Sequence, residues 1–295
     1  MSNNVISTNP TVANIDITTA GSNFLWWVFA MMITSALGLT AYSLTLNPAR
    51  RAFHFLGVAI LFTASIAYFS MASDLGATPI LVEFVRNQGD LATGFVAPTR
   101  SIWYVRYIDW VITTPLLLLT LLLSTGMPLS GIFATIFFDI IMIVTGLVGA
   151  LVHSSYKWGY FAFGCLAMLY VFWTLIGPAR LAAKALGDDN HQAYIKGALS
   201  LSFLWMLYPI AWGLCDGGNV ISVNGEMIFY GILDVLAKPG FIFLHLYSIR
   251  NIDYDRFGLE SGHRTIGQAV SRQILLITLL ENPFLTQLFV YYAVS

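Results

Sequence analysis

The sequence predicts an all-α membrane protein, a bundle of seven transmembrane helices with its N-terminus outside and its C-terminus inside. Three observations carry this: long apolar runs, scarcity of charge, and an uneven distribution of Lys and Arg. Of the 295 residues, 57% are apolar and only 10% are charged, whereas soluble domains carry about 25% charged residues. The mean hydropathy is +0.74. These values exclude a soluble enzyme and a disordered chain, and no enzymatic chemistry is expected. With 14 basic and 15 acidic residues there is no net field to attract nucleic acid. Cys165 and Cys215 lie in separate apolar runs, so neither a disulfide framework nor a zinc site is expected. The lipid bilayer is the first partner implied.

Seven runs of membrane-crossing length follow in order, at 24–46, 53–73, 102–124, 129–152, 158–178, 196–216 and 223–249. About 20 residues cross ~30 Å of hydrocarbon as a helix, and backbone groups in lipid must be satisfied within the segment. Residues 1–22 are polar and lack Lys and Arg, which predicts an extracellular tail and no cleavable signal. The connection 74–101 alternates apolar and polar residues around Asn87-Gln88-Gly89-Asp90, which predicts a short hairpin. The seven-helix domain is placed at 23–250 and a cytoplasmic tail at 251–295. Within that tail, the apolar segment 274–294 is broken by Glu281 and Pro283 and reads as an interfacial helix. Nine basic residues fall on one side (Arg50, Arg51, Arg180, Lys184, Lys196, Arg250, Arg256, Arg264, Arg272) and three on the other (Arg86, Arg100, Lys157). The positive-inside rule puts the nine in the cytoplasm. The three outer cations call for no special environment.

Five ionisable residues are left at membrane depth: Arg106, Asp109, Asp139, Asp234 and Lys238. Each needs a partner or a cavity, because an unpaired charge there costs several kcal/mol. Lys238 lies more than ten residues from either end of its run, ~15 Å of helix and beyond the reach of a lysine stem. Its plain reading is an ion pair with Asp234, one turn earlier. Its functional reading is a buried amine able to condense with an aldehyde. In the third run, Arg106, Asp109, Thr113 and Thr120 fall on one helical face. Arg106 and Lys238 then balance Asp109 and Asp234, as a dry interior demands. A purely structural network has the same composition.

The segments RYIDWVITTPLLLL (106–119) and LDVLAKPGF (233–241) resemble the microbial rhodopsins, most closely the fungal opsin-like, bacteriorhodopsin-like proton pumps, over about 24–250. The resemblance implies that Lys238 carries all-trans-retinal as a Schiff base, with Asp109 as counter-ion and proton acceptor and Asp234 as second counter-ion. It implies a pocket of Trp110, Thr114, Leu117, Tyr68, Asp139, Met142, Phe161, Gly164, Trp205, Tyr208, Pro209 and Trp212. Phe161 stands where many relatives have tryptophan. Taken singly, each aromatic reads equally as helix packing. Asp139, without a cation in view, is expected to be protonated. Arg106 would gate proton release, with Glu226 and, less tightly matched, Asp216 as release carboxylates; either also reads as a solvated loop acid. Pro115, Pro209 and Pro239 would bend spans around the cavity.

A carboxylate at Asp109 implies protons rather than halide as cargo. Where such pumps carry an acid that reloads the Schiff base, this chain has Thr120, which has no proton to donate near neutral pH. The inner halves of the runs hold no replacement carboxylate, and position 57 is Gly57. Reloading from cytoplasmic water implies a slow cycle whose recovery slows as pH rises. The leading expectation is a slow, light-driven outward proton pump in a eukaryotic plasma membrane, with homo-oligomers allowed. A slow photosensor read by a signalling partner and a heptahelical protein without chromophore are the alternatives. A passive channel fits less well, since no row of carboxylates lines a polar path.

Overall fold

The computed structural model describes residues 3–10, 13–86 and 97–257. Among these residues, seven helices are long and apolar enough to span a bilayer: Thr19–Leu44, Ala52–Ala72, Tyr104–Thr125, Leu129–Leu151, Lys157–Ala185, Asp188–Gly217 and Val223–Ile249. Consecutive spans pack side by side, and the first closes against the seventh. The third and seventh are the most buried, at 61% and 56% of their apolar windows, against 22% for the fourth. The two helices carrying the membrane-depth charges therefore form the interior. The rim exposes Leu37, Phe62, Phe133, Leu166 and Phe203, an apolar surface suited to lipid.

The sequence boundaries agree with these spans except at their ends. The sixth span starts at Asp188 rather than 196, because its first turns (DDNHQAYIK) are too polar for a hydropathy signal yet form helix. Asp188 and Asp189 lie in that first turn, where acidic side chains favour the helix dipole. The third span starts at Tyr104 because Thr99–Ile102 is a strand (β2). It pairs antiparallel with Thr78–Leu81 (β1), in register from Thr78 opposite Ile102 to Leu81 opposite Thr99. This is the expected hairpin; its turn at 87–90 lies outside the described residues, as does segment 274–294. The N-terminal segment adds to the hairpin edge, with Ile15 N donating to Thr99 O at 2.9 Å and Ser101 N donating to Ile15 O at 3.0 Å. Among the described residues beyond Asp253, Tyr254–Phe257 form one 3₁₀ turn.

Two spans contain a π-turn, at Gly213–Gly217 in the sixth and Leu236–Gly240 in the seventh. Pro239 lies within the second, where its missing N–H and its ring bulk disturb the regular ladder. These two turns carry Asp216 and Lys238 respectively.

After the second span the chain turns at Asp74, with φ of 57°, a left-handed conformation that Asp and Asn tolerate better than other side chains. Burial, and then the nearby Asp16 carboxylate, push Asp74 up to about 6. Burial likewise raises Asp16. An Asp74 held above its unfolded value of 3.8 binds more protons folded than unfolded. Its contribution to stability is therefore full in acid and falls as pH rises from about 4 to 6. Asp74→Asn should raise Tm at pH 8 by about 2 °C, on the order of 1 kcal/mol after allowing for solvent screening. At pH 4 the gain should vanish. Thermal melts at the two pH values check this, and an equal shift at both would refute it.

Candidate functional site

The third and seventh spans run in the same direction, and their buried faces meet at Lys238. Its Nζ lies 2.8 Å from Asp109 Oδ2 and 2.8 Å from Asp234 Oδ2. All three side chains are buried. The two acids are not equivalent. Tyr68 donates to Asp234 Oδ2 at 2.8 Å and Tyr208 to Asp234 Oδ1 at 2.6 Å, so both oxygens of Asp234 are held. Asp109 Oδ1 has no hydrogen-bond partner among the described residues. Thr113 donates to the Asp109 carbonyl at 2.8 Å and fixes that turn of helix. Asp109 is thus the carboxylate with an oxygen open to a proton, whereas Asp234 is pinned by two tyrosines.

Arg106 departs from the expected balance of four charges. It does not ion-pair with Asp109 but donates to Glu226 Oε1 at 2.6 Å and Met227 Sδ at 3.2 Å, with its guanidinium 4.2 Å over the Tyr230 ring. The physical reason is direction: helical side chains lean toward the N-terminus of their own helix, which carries Arg106 away from Asp109, one turn further on. Lys238 alone faces both aspartates.

Glu226 is fully buried, so the solvated reading fails for it. Its second oxygen takes Arg100 Nη2 at 2.7 Å, and Arg100 Nη1 also donates to Asn219 Oδ1 at 2.7 Å. The expectation that the outer cations need no special environment is corrected here: Arg100 and Lys157 are each only 2% exposed. Sequence reading missed Arg100 because its partner lies 126 residues away. Two acids near the ends of the last two spans that lacked cations were the available signal. Asp216, also buried, accepts from Tyr107 at 2.9 Å, while its carbonyl takes Lys157 Nζ at 3.3 Å.

On the other side of Lys238 lies a cavity walled mainly by apolar and aromatic side chains, the usual lining of a small-molecule site. Trp110, Thr114, Leu117, Met142, Phe161, Gly164, Trp205, Tyr208, Pro209 and Trp212 line it, as the resemblance implied. So do Tyr107, Ile143, Gly146 and Tyr230, which sequence reading did not single out. Phe161 stacks on Trp212 at 5.0 Å, and Trp110 meets Tyr208 edge-on at 5.2 Å. A Cβ on Gly164 would come within 3.1 Å of Thr145 Oγ1, so glycine keeps that wall open. Tyr68 and Asp139 support the lining from behind. The Thr114 hydroxyl lies 2.8 Å from both Trp110 O and Asp139 Oδ2. The Thr114 hydroxyl thus ties the Asp139 side chain to the third span behind the cavity. Thr120 is buried, with its hydroxyl donating to Leu116 O at 2.8 Å.

The sequence model of the family described as Bacteriorhodopsin-like protein matches residues 19–252. The chain belongs to that family. It is similar to Protein FDD123 of Trametes versicolor, 49% identical over 265 residues and covering 90% of each chain. It is also similar to the opsin-like protein carO of Fusarium fujikuroi, 48% identical over 88% of this chain and 84% of that one. Among solved structures it is similar to the light-driven proton pump of Leptosphaeria maculans, with a TM-score of 0.74 and 36% identity over 81% of this chain and all of that one. This bacteriorhodopsin-like protein is therefore a multi-pass membrane rhodopsin, and its family implies a retinal chromophore. The residues present fit that group: an elongated polyene aldehyde needs an amine at the end of an aromatic cavity, with anions beside the nitrogen. Lys238 would bind it, Asp109 and Asp234 would balance it, and the aromatic walls would enclose it. When bound, retinal supplies light absorption and a double bond that isomerises next to the Lys238 nitrogen.

Proposed function

We propose that this rhodopsin is a light-driven pump that moves protons outward across a plasma membrane, slowly, with retinal all-trans in the dark, and that it has no enzymatic activity. The observation that carries the reading is the asymmetry at Lys238, one open carboxylate and one pinned carboxylate sharing a buried amine. Such an arrangement directs a proton from the Lys238 nitrogen to Asp109 Oδ1, because Asp234 has no oxygen free to take it. Asp109 lies on the side facing the Arg106–Glu226–Arg100 cluster, and the proton then leaves at the hairpin end. The excess of Lys and Arg at the opposite end supports the hairpin end being outside. The Leptosphaeria maculans neighbour is itself described as a light-driven proton pump, which supports the same cargo.

The outer cluster also bears on release. Glu226 is shared by two arginines, so in the dark it is held as a carboxylate and stores no proton. Asp216, whose carboxylate accepts among the described residues from the Tyr107 hydroxyl through one oxygen, is the release group this geometry favours.

Sealed vesicles in light should show a sustained pH change abolished by a protonophore; a single charge displacement without steady transport would favour the sensory reading, which the hydroxyl at Thr120 also suits. Reloading supplied by solvent slows as pH rises, because the proton concentration falls. Thr120→Asp should quicken recovery of the dark pigment by about tenfold or more and flatten its dependence on pH, since a positioned acid contributes roughly 10²–10⁴ to proton transfer. Azide, a small diffusible acid, should act in the same direction. Flash spectroscopy from pH 5 to 9 measures both, and unchanged recovery in both would sink the argument from the missing acid.

A further inference from the structure

On the far side of Lys238 from Asp109, the seventh span carries His245, seven residues on and so on the same helical face. The separation along the axis is ~10 Å. Eleven residues past Asp109, Thr120 occupies the matching place on the third span. The His245 ring is fully buried and faces the Thr120 main chain. Neither ring nitrogen makes a hydrogen bond of ordinary geometry among the described residues. Phe241 stacks on it at 5.8 Å and 13°, and Phe53 meets its edge at 5.9 Å. Room for the ring comes from the sixth span: a Cβ on Gly197 would lie 3.5 Å from His245 Nδ1 and 3.0 Å from Leu121. Burying an imidazole that has at most a loose contact with the Thr120 main chain costs about 1–3 kcal/mol per unpaired group, a cost that packing alone does not explain.

We propose that His245 is the relay that returns a proton to the Lys238 nitrogen, in place of the acid absent at position 120. This deepens the pump reading and rests on it. A neutral imidazole has one N–H donor and one acceptor nitrogen. A proton arriving from solvent at the basic end binds the acceptor nitrogen, and the N–H proton on the other nitrogen leaves toward Lys238. The ring finishes neutral as its other tautomer, so only N–H bonds form and break, and proton exchange resets it. In the resting packing Phe241 lies stacked on the ring, and transfer across the ~10 Å to Lys238 needs water to enter.

Two measurements test this. In His245→Phe, recovery of the dark pigment after a flash should slow at least tenfold and azide should restore it; unchanged recovery would overturn the relay. In retinal-free wild-type membranes, ¹⁵N-histidine NMR, assigned by difference against another His245 variant, should show a neutral ring with one protonated and one unprotonated nitrogen. A permanently protonated ring would overturn the relay even if the phenylalanine variant does not fold. The pump reading is tested separately: a wild type without steady transport whose recovery still depends on His245 would remove the pump and keep the relay.

Discussion

Lys238→Ala should give a protein that never acquires visible absorption on addition of all-trans-retinal and that is less stable before any retinal is added. The first effect follows from losing the one amine that opens into the aromatic cavity among the described residues. The second follows from charge. Asp109 and Asp234 each lie 2.8 Å from the same ammonium, and removing it leaves two like charges in a dry interior. Breaking one buried pair by deleting a partner costs about 3–5 kcal/mol. Part of that loss should return in Lys238→Ala/Asp109→Asn, which leaves a single carboxylate held by two tyrosines. Absorption spectra and melts of the retinal-free forms read the two effects separately. A coloured Lys238→Ala protein would refute the assignment of the chromophore site, and equal melting of all three proteins would refute the electrostatic account.

Asp109→Asn should abolish steady light-driven proton transport, by at least 100-fold, while leaving retinal bound. The amide cannot take the proton, and Asp234 cannot replace it because both of its oxygens are engaged. Lys238 keeps one anion, so the pigment should form, with absorption shifted to longer wavelength because a negative charge near the cationic nitrogen has gone. Asp109→Glu should retain part of the transport. The mirror variant Asp234→Asn distinguishes the two acids: it should lower stability and shift colour without removing the acceptor. Undiminished transport in Asp109→Asn vesicles would overturn the assignment of the acceptor.

The charges show how far sequence reading reaches. Lys238, Asp109 and Asp234 were legible because an ionisable residue inside an apolar membrane-crossing run demands a partner or a cavity. Arg100 was not legible. It lies in a polar connection, where a cation normally needs nothing, and only the hairpin's return against the sixth and seventh spans buries it beside Glu226. His245 was overlooked for another reason: a search for carboxylates passes over an imidazole, and an apolar run with one histidine reads as packing. Arg106 was placed on the correct face and given the wrong partner, because helical periodicity fixes azimuth while side-chain lean along the axis decides which neighbour is reached.

The sequence by itself determined the number of spans, their order and the membrane as solvent, since backbone hydrogen bonding in hydrocarbon allows nothing but helices for such runs. The tertiary structure alone decided which acid is open and which is pinned, since that depends on tyrosines from the second and sixth spans reaching Asp234. It also decided that two arginines share Glu226 and that a histidine lies against Thr120. Period and hydropathy are local properties of a chain, whereas hydrogen-bond saturation of a buried group is a sum over helices distant in sequence.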